Sequence, residues 1–115
     1  MTNLNNLRVY HEARSSCAAA YRLAAAIPAD PALRDQIRRA ATSVVLNIAE
    51  GRGRSTDADF ARFLVIARGS NTELIAQLTL AMDLGFLQEP ALVVLADLDR
   101  LGRMLSVLIS RLHAG

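Results

Sequence analysis

The chain has no lysine, no tryptophan, one cysteine and three prolines in 115 residues. Each scarcity excludes something. A lone Cys17 forbids an intrachain disulfide and fits a reducing cytoplasm, the expected location. No apolar segment follows the N-terminal Met, so no secretory signal is expected. The longest unbroken apolar run, residues 91–96, is too short to span a bilayer, and no membrane partner is expected. Aromatics are only 4%, so a core must be built from Leu, Ala, Val and Ile, a palette that favours helices over sheets.

Catalytic groups are equally scarce. His11 and His113 lie near opposite ends of the chain, and no His/Cys/Glu cluster has metal-ligand spacing. Asp57/Asp59 and Asp97/Asp99 are two residues apart, so their members do not face one another on a helix. No Ser stands in a nucleophile elbow, and the Glu-x-x-His signature of di-iron bundles is missing. The expectation is no enzyme, no metal, no cofactor and no small-molecule substrate.

What is present is apolar and cationic. Hydrophobic residues make up 52%, enough for a compact globular fold. The length fits one domain, residues 1–115, that needs no staple. The net charge is +2, and all thirteen basic residues are Arg. Nucleotide-composition bias in the source genome is the favoured account of that, ahead of bidentate recognition of phosphate or carboxylate. Charge is unevenly spread: residues 1–55 hold eight Arg and four acids, residues 56–115 five Arg and seven acids. Such polarity can guide self-association or an anionic partner.

Three breaks, "IPADP" (27–31), "GRGRS" (51–55) and "LGFLQEP" (84–90), separate four segments of helical period. The predicted helices are 6–26, 31–50, 56–84 and 90–112. Asn6, Asp30 and Ser55 or Thr56 are the expected N-caps, with Pro31 at a tolerated first position. Gly51 is expected as a left-handed C-cap and Gly85 as the end of helix 3. The seams read Leu7, Tyr10, Ala13, Cys17, Ala20/Tyr21, Ala24; then Leu33, Ile37, Ala40, Val44, Ile48. Helix 3 offers Phe60, Phe63/Leu64, Ala67, Asn71, Leu74, Leu78, Ala81/Met82, and helix 4 offers Val94, Leu98, Leu101, Leu105, Leu108, Leu112. Short connections make neighbours antiparallel, giving an all-α, up-down-up-down four-helix bundle.

Helix 4 also carries Leu92, Val93, Leu95, Met104, Val107 and Ile109 off its seam, and helix 3 carries Val65, Ile66, Leu80 and Leu84. Surplus apolar surface of this kind marks an interface, against the alternative of scattered surface Leu and Val. On helix 2, Gln36, Arg39, Ser43, Asn47 and Glu50 fall in an arc of about 80° beside the seam, with Arg34, Arg38 and Thr42 on the other edge. Helix 3 offers Arg62, Ser70, Glu73 and Gln77 beside its own. This stripe reads as an inter-helix network, a subunit contact or a ligand site; Arg39 with Glu73, or Glu50 with a loop Arg, are pairings it allows. Gly69, mid-helix at a cost of about 1 kcal/mol, calls for close approach of another backbone.

The stretches "QIRRAATSVVLNIAEGRGRS" and "FARFLVIARGSNTELIAQLTLAMDLGFL" resemble the four-helix-bundle family named for proteins encoded in intervening sequences of bacterial 23S ribosomal RNA. The resemblance rests on Gln36, Arg38, Arg39, Ser43, Asn47, Glu50, Gly51, Gly53, Arg54, Phe63, Leu64, Ala67, Gly69, Ser70, Glu73 and Leu74. "SVVLN" lacks the Pro often found there, which implies a straighter helix 2. The resemblance implies a bundle, a ring-like homopentamer and no enzymatic activity. Its relatives include the accessory variability proteins of diversity-generating retroelements, strongly basic proteins that bind nucleic acid and a reverse transcriptase.

Two functional readings lead, ahead of a minor third in which the polar stripe converges with its neighbours into an enzyme site shared between subunits. The first is a non-enzymatic oligomeric scaffold or adaptor. The second is an accessory protein that contacts RNA or DNA through Arg34, Arg38, Arg39, Arg52 and Arg54. "GRGRS" lacks the Lys and spacing of a phosphate loop, and a helix C-terminus repels phosphate.

Overall fold

The computed structural model describes residues 7–114. Four helices follow one another: α1 (Arg8–Ala25), α2 (Pro31–Arg52), α3 (Asp57–Asp83) and α4 (Pro90–Ala114). Each packs on the next, α4 closes back on α1, and the diagonal pairs make at most marginal contact. This is the antiparallel up-down-up-down bundle. It measures 45 × 20 × 19 Å.

Local chemistry sets the helix limits. Asp30 Oδ1 accepts the Leu33 amide at 3.0 Å with Pro31 in the first position, and Thr56 Oγ1 accepts the Asp59 amide at 3.1 Å. Each satisfies a donor that the helix start leaves open. Asp57 and Asp59 sit in the first turn of α3, where the helix dipole favours them. At its far end Gly85 takes φ 81°. Its amide bonds Met82 O at 3.0 Å, and Phe86 N bonds Ala81 O at 2.9 Å, the paired closure that a left-handed Gly permits. α1 starts after Leu7, which provides no side-chain cap; Asn6, the expected cap, lies outside the described residues.

The core forms two clusters. One lies toward the α1–α2 and α3–α4 turns and includes Ala24, Ile27, Ile37, Leu74, Leu78 and Leu98. The other lies toward the α2–α3 turn and includes Val9, Val44, Ile48, Leu64, Leu101 and Leu105. Between them, at one height on three helices, sit Ser16, Ser43, Ser70 and Asn71. Asn71 is 1% exposed and donates from Nδ2 to Leu98 O at 2.9 Å. Gly102 leaves room for it, since a Cβ there would lie 3.3 Å from Nδ2. The bundle therefore has a polar waist.

Four expectations are corrected. Gly51 is no cap: it is buried inside α2, which continues to Arg52 and ends at Gly53 with φ −78°. A Cβ on Gly51 would stand 2.8 Å from Phe63 Cβ and 3.2 Å from Phe60 O, so the glycine is set by the approach of α3. A Cβ on Gly69 would meet nothing within 4 Å, so among the described residues no other helix backbone approaches it. On α1, Val9 and Ser16 are buried where Tyr10 and Cys17 were expected. On α4, Ile109 is buried while Leu108 and Leu112 are half-buried.

Candidate interaction surface

The polar stripe of α2 divides between its two neighbours. Toward α3, Ser43 Oγ and Ser70 Oγ lie 2.7 Å apart. Asn47 Nδ2 donates to Ser43 O at 2.9 Å and to Ser43 Oγ at 3.0 Å. On α3, Gln77 Nε2 donates to Glu73 Oε1 at 3.3 Å. Gln36 and Arg39 are exposed, and Arg39 forms no ion pair with Glu73 or any other described residue. Toward α1, Arg34 Nη1 donates to Ile27 O at 3.3 Å. Arg38 lies 5.7 Å from the Tyr21 ring centre and 3.9 Å from Asp35. Thr42 gives its proton to Arg38 O at 2.8 Å, so Tyr21 OH, 3.0 Å from Thr42 Oγ1, is the donor of that pair.

The corner after α2 is held by arginines on rings. Arg54 Nη2 bonds Glu50 Oε1 at 2.7 Å, the second of the two pairings that the sequence allowed. The guanidinium of Arg54 lies 4.7 Å from the Phe63 ring centre, and that of Arg62 lies 4.5 Å from it. Arg62 also pairs with Asp59 at 3.4 Å. Arg52 lies 5.8 Å from the Phe60 ring. Cation and ring attract through the ring quadrupole, so the run 51–55 is pinned to the start of α3 by side chains that sequence spacing alone does not reveal.

Long apolar side chains remain outside. Val65, Ile66 and Leu80 on α3, Leu84 at its C-cap, and Leu92, Val93 and Val107 on α4 are 41–66% exposed. Leu46 on α2 and Tyr21 on α1 join them. These last two were not singled out from sequence as exposed; Leu46, one apolar residue off the α2 seam, was the available signal. Tyr21 and Leu46 line a groove between α1 and α2 with Arg14, Cys17, Ala18, Thr42 and Val45, about 420 Å³ in volume. Burial pushes the Cys17 thiol above its ordinary pKa, against a smaller opposing pull from the Thr42 side chain beside it. Across the bundle, Arg100 bonds Glu12 Oε2 at 3.0 Å and ties α4 to α1.

The described residues contain no group of three His, Cys, Asp or Glu side chains placed to hold a metal. Among the described residues no helix is long and apolar enough to cross a membrane. Fold and surface together define an all-α four-helix bundle whose conspicuous external feature is apolar. The chain belongs to the 23S rRNA-intervening sequence protein family, whose profile matches residues 5–107. It is also similar to the crystal structure of a protein of unknown function from the S23 ribosomal protein family of Bacteroides thetaiotaomicron VPI-5482. The TM-score is 0.81 at 21% identity, covering 88% of this chain and 97% of that one. That likeness bears on the fold. No curated protein matches the chain.

Proposed function

We propose that this chain is a non-enzymatic scaffold that works by self-association, as a homopentameric ring that presents a surface to further partners. The observation that carries the reading is the set of large apolar side chains left in water on α3 and α4. Monomeric proteins rarely keep such patches without a partner. The family resemblance supplies the stoichiometry. Light scattering of purified protein should give about 62 kDa, five times the 12.4 kDa chain. A single 12.4 kDa species at high micromolar concentration would overturn the reading.

The nucleic-acid reading has less support. Arg34, Arg38, Arg52 and Arg54 already engage a carbonyl, rings or carboxylates of the same chain, so Arg39 is the arginine of α2 best placed for phosphate. Titration with mixed RNA and DNA at rising salt tests it. Affinity that falls steeply with salt and drops in Arg39→Ala supports contact with phosphates; absence of binding at low salt removes it.

A further inference from the structure

The helix order converts a chain-level asymmetry into a spatial one. α1 and α2 form one flank, α3 and α4 the opposite flank. The first flank carries the cationic half of the sequence and the second the anionic half. On the first flank lies the α1–α2 groove, floored by Cys17, Ala18 and Val45 and edged by exposed Tyr21 and Leu46. Arg14, Arg22 and Arg39 beside it have no carboxylate partner among the described residues. On the second flank the outer face of α3 presents Ile66, Gly69, Glu73, Ala76, Leu80 and Leu84, all exposed. They repeat every three or four residues within an arc of about 80°. Gly69 and Ala76 flank Glu73 as small residues, and nothing among the described residues lies within 4 Å of a Cβ built at Gly69.

We propose that the occupant of the α1–α2 groove is α3 of a second copy, so that each bundle docks its anionic flank on the cationic flank of the next. This inference rests on the self-association reading and names its interface. The contact is heterologous, the type that closes into rings when the rotation allows. In a ring whose axis parallels the bundles, equal heights meet. Counted from the waist at about 1.5 Å per residue, Glu73 stands about 3 Å toward the α3–α4 turn, and Arg39 and Arg22 about 6 and 9 Å. Toward the other end Leu46 stands about 5 Å and Ile66 about 8 Å. Acid thus meets arginine and apolar meets apolar without sliding one copy along the other.

Two variants on exposed positions isolate the faces. Leu46→Arg blocks the groove and Ile66→Arg blocks α3, and circular dichroism checks that each stays folded. Light scattering should find wild type assembled, each variant monomeric, and their equimolar mixture dimeric, because each supplies the face the other lacks. Arg39→Glu and Glu73→Arg should each weaken assembly, and the chain carrying both should regain it. If wild type assembles and both arginine variants keep its mass, this interface is wrong while self-association stands. If either variant alone still dimerises, or their mixture stays monomeric, the heterologous pairing is wrong. A monomeric wild type removes both proposals.

Discussion

Two glycines with similar sequence settings carry opposite constraints. Gly51 touches the start of α3, and a Cβ there meets Phe63 Cβ at 2.8 Å, an atom too near the backbone to move cheaply. Gly51→Ala should destabilise the protomer by about 1–2 kcal/mol, because overpacking exceeds the gain in helix propensity. Gly69→Ala meets open space and should stabilise it by roughly 1 kcal/mol. Urea denaturation of the two variants under monomeric conditions gives both signs. Cys17 offers a second check. Its half-buried thiol has a raised pKa, so the neutral form is favoured in the folded state. Stability from this group is therefore full below the unfolded thiol pKa and declines as pH rises through the folded one. At pH 8 iodoacetamide should modify the native protein several-fold more slowly than the urea-unfolded chain.

At the scale of the element, the helices were legible because burial repeats with the helical period. All five residues of the α2 seam are buried, and Asp30 and Thr56 cap as short polar residues before an apolar run do. The failures share a cause. Gly51 follows the last seam residue of α2 as a terminal glycine would, yet the approach of α3 decides its role. The α4 seam turns with the 100° step, so its last turns bury Ile109 rather than Leu108. The arginine–ring contacts at 51–63 were illegible because they join two helices across a turn whose path the sequence does not specify. The ladder between α2 and α3 makes a clean test. In a Ser43→Ala and Ser70→Ala double-mutant cycle the coupling should be about 0.5–1.5 kcal/mol, since their hydroxyls bond each other. Thr56→Ala should cost about 1 kcal/mol in thermal or urea unfolding through the lost cap.

For the whole molecule, the sequence order of charge matters because an up-down bundle lays consecutive helices side by side. The same composition shuffled among the four helices would have no anionic and cationic flank. Attraction between exposed charges is screened beyond about 8 Å at physiological ionic strength. Assembly should therefore be tighter in low salt and loosen between about 50 and 500 mM NaCl; sedimentation velocity across that range reads it, and an unchanged distribution would leave apolar burial as the sole driver. The candidate surface was legible as surplus Leu, Val and Ile on α3 and α4, whereas its counterpart, the α1–α2 groove, exists only once two helices are placed together.

The polar waist has a consequence for motion. Ser16, Ser43, Ser70 and Asn71 interrupt apolar contact between the two clusters, while every helix runs through both. Amide hydrogen exchange should then report two opening units rather than one. Protons near Ile37, Leu78 and Leu98 should exchange with one opening free energy and those near Ile48, Leu64 and Leu105 with another. Asn71→Leu, which makes the interior continuous, should bring the two sets of rates together. The bundle would on that account breathe from either end about a hydrogen-bonded middle.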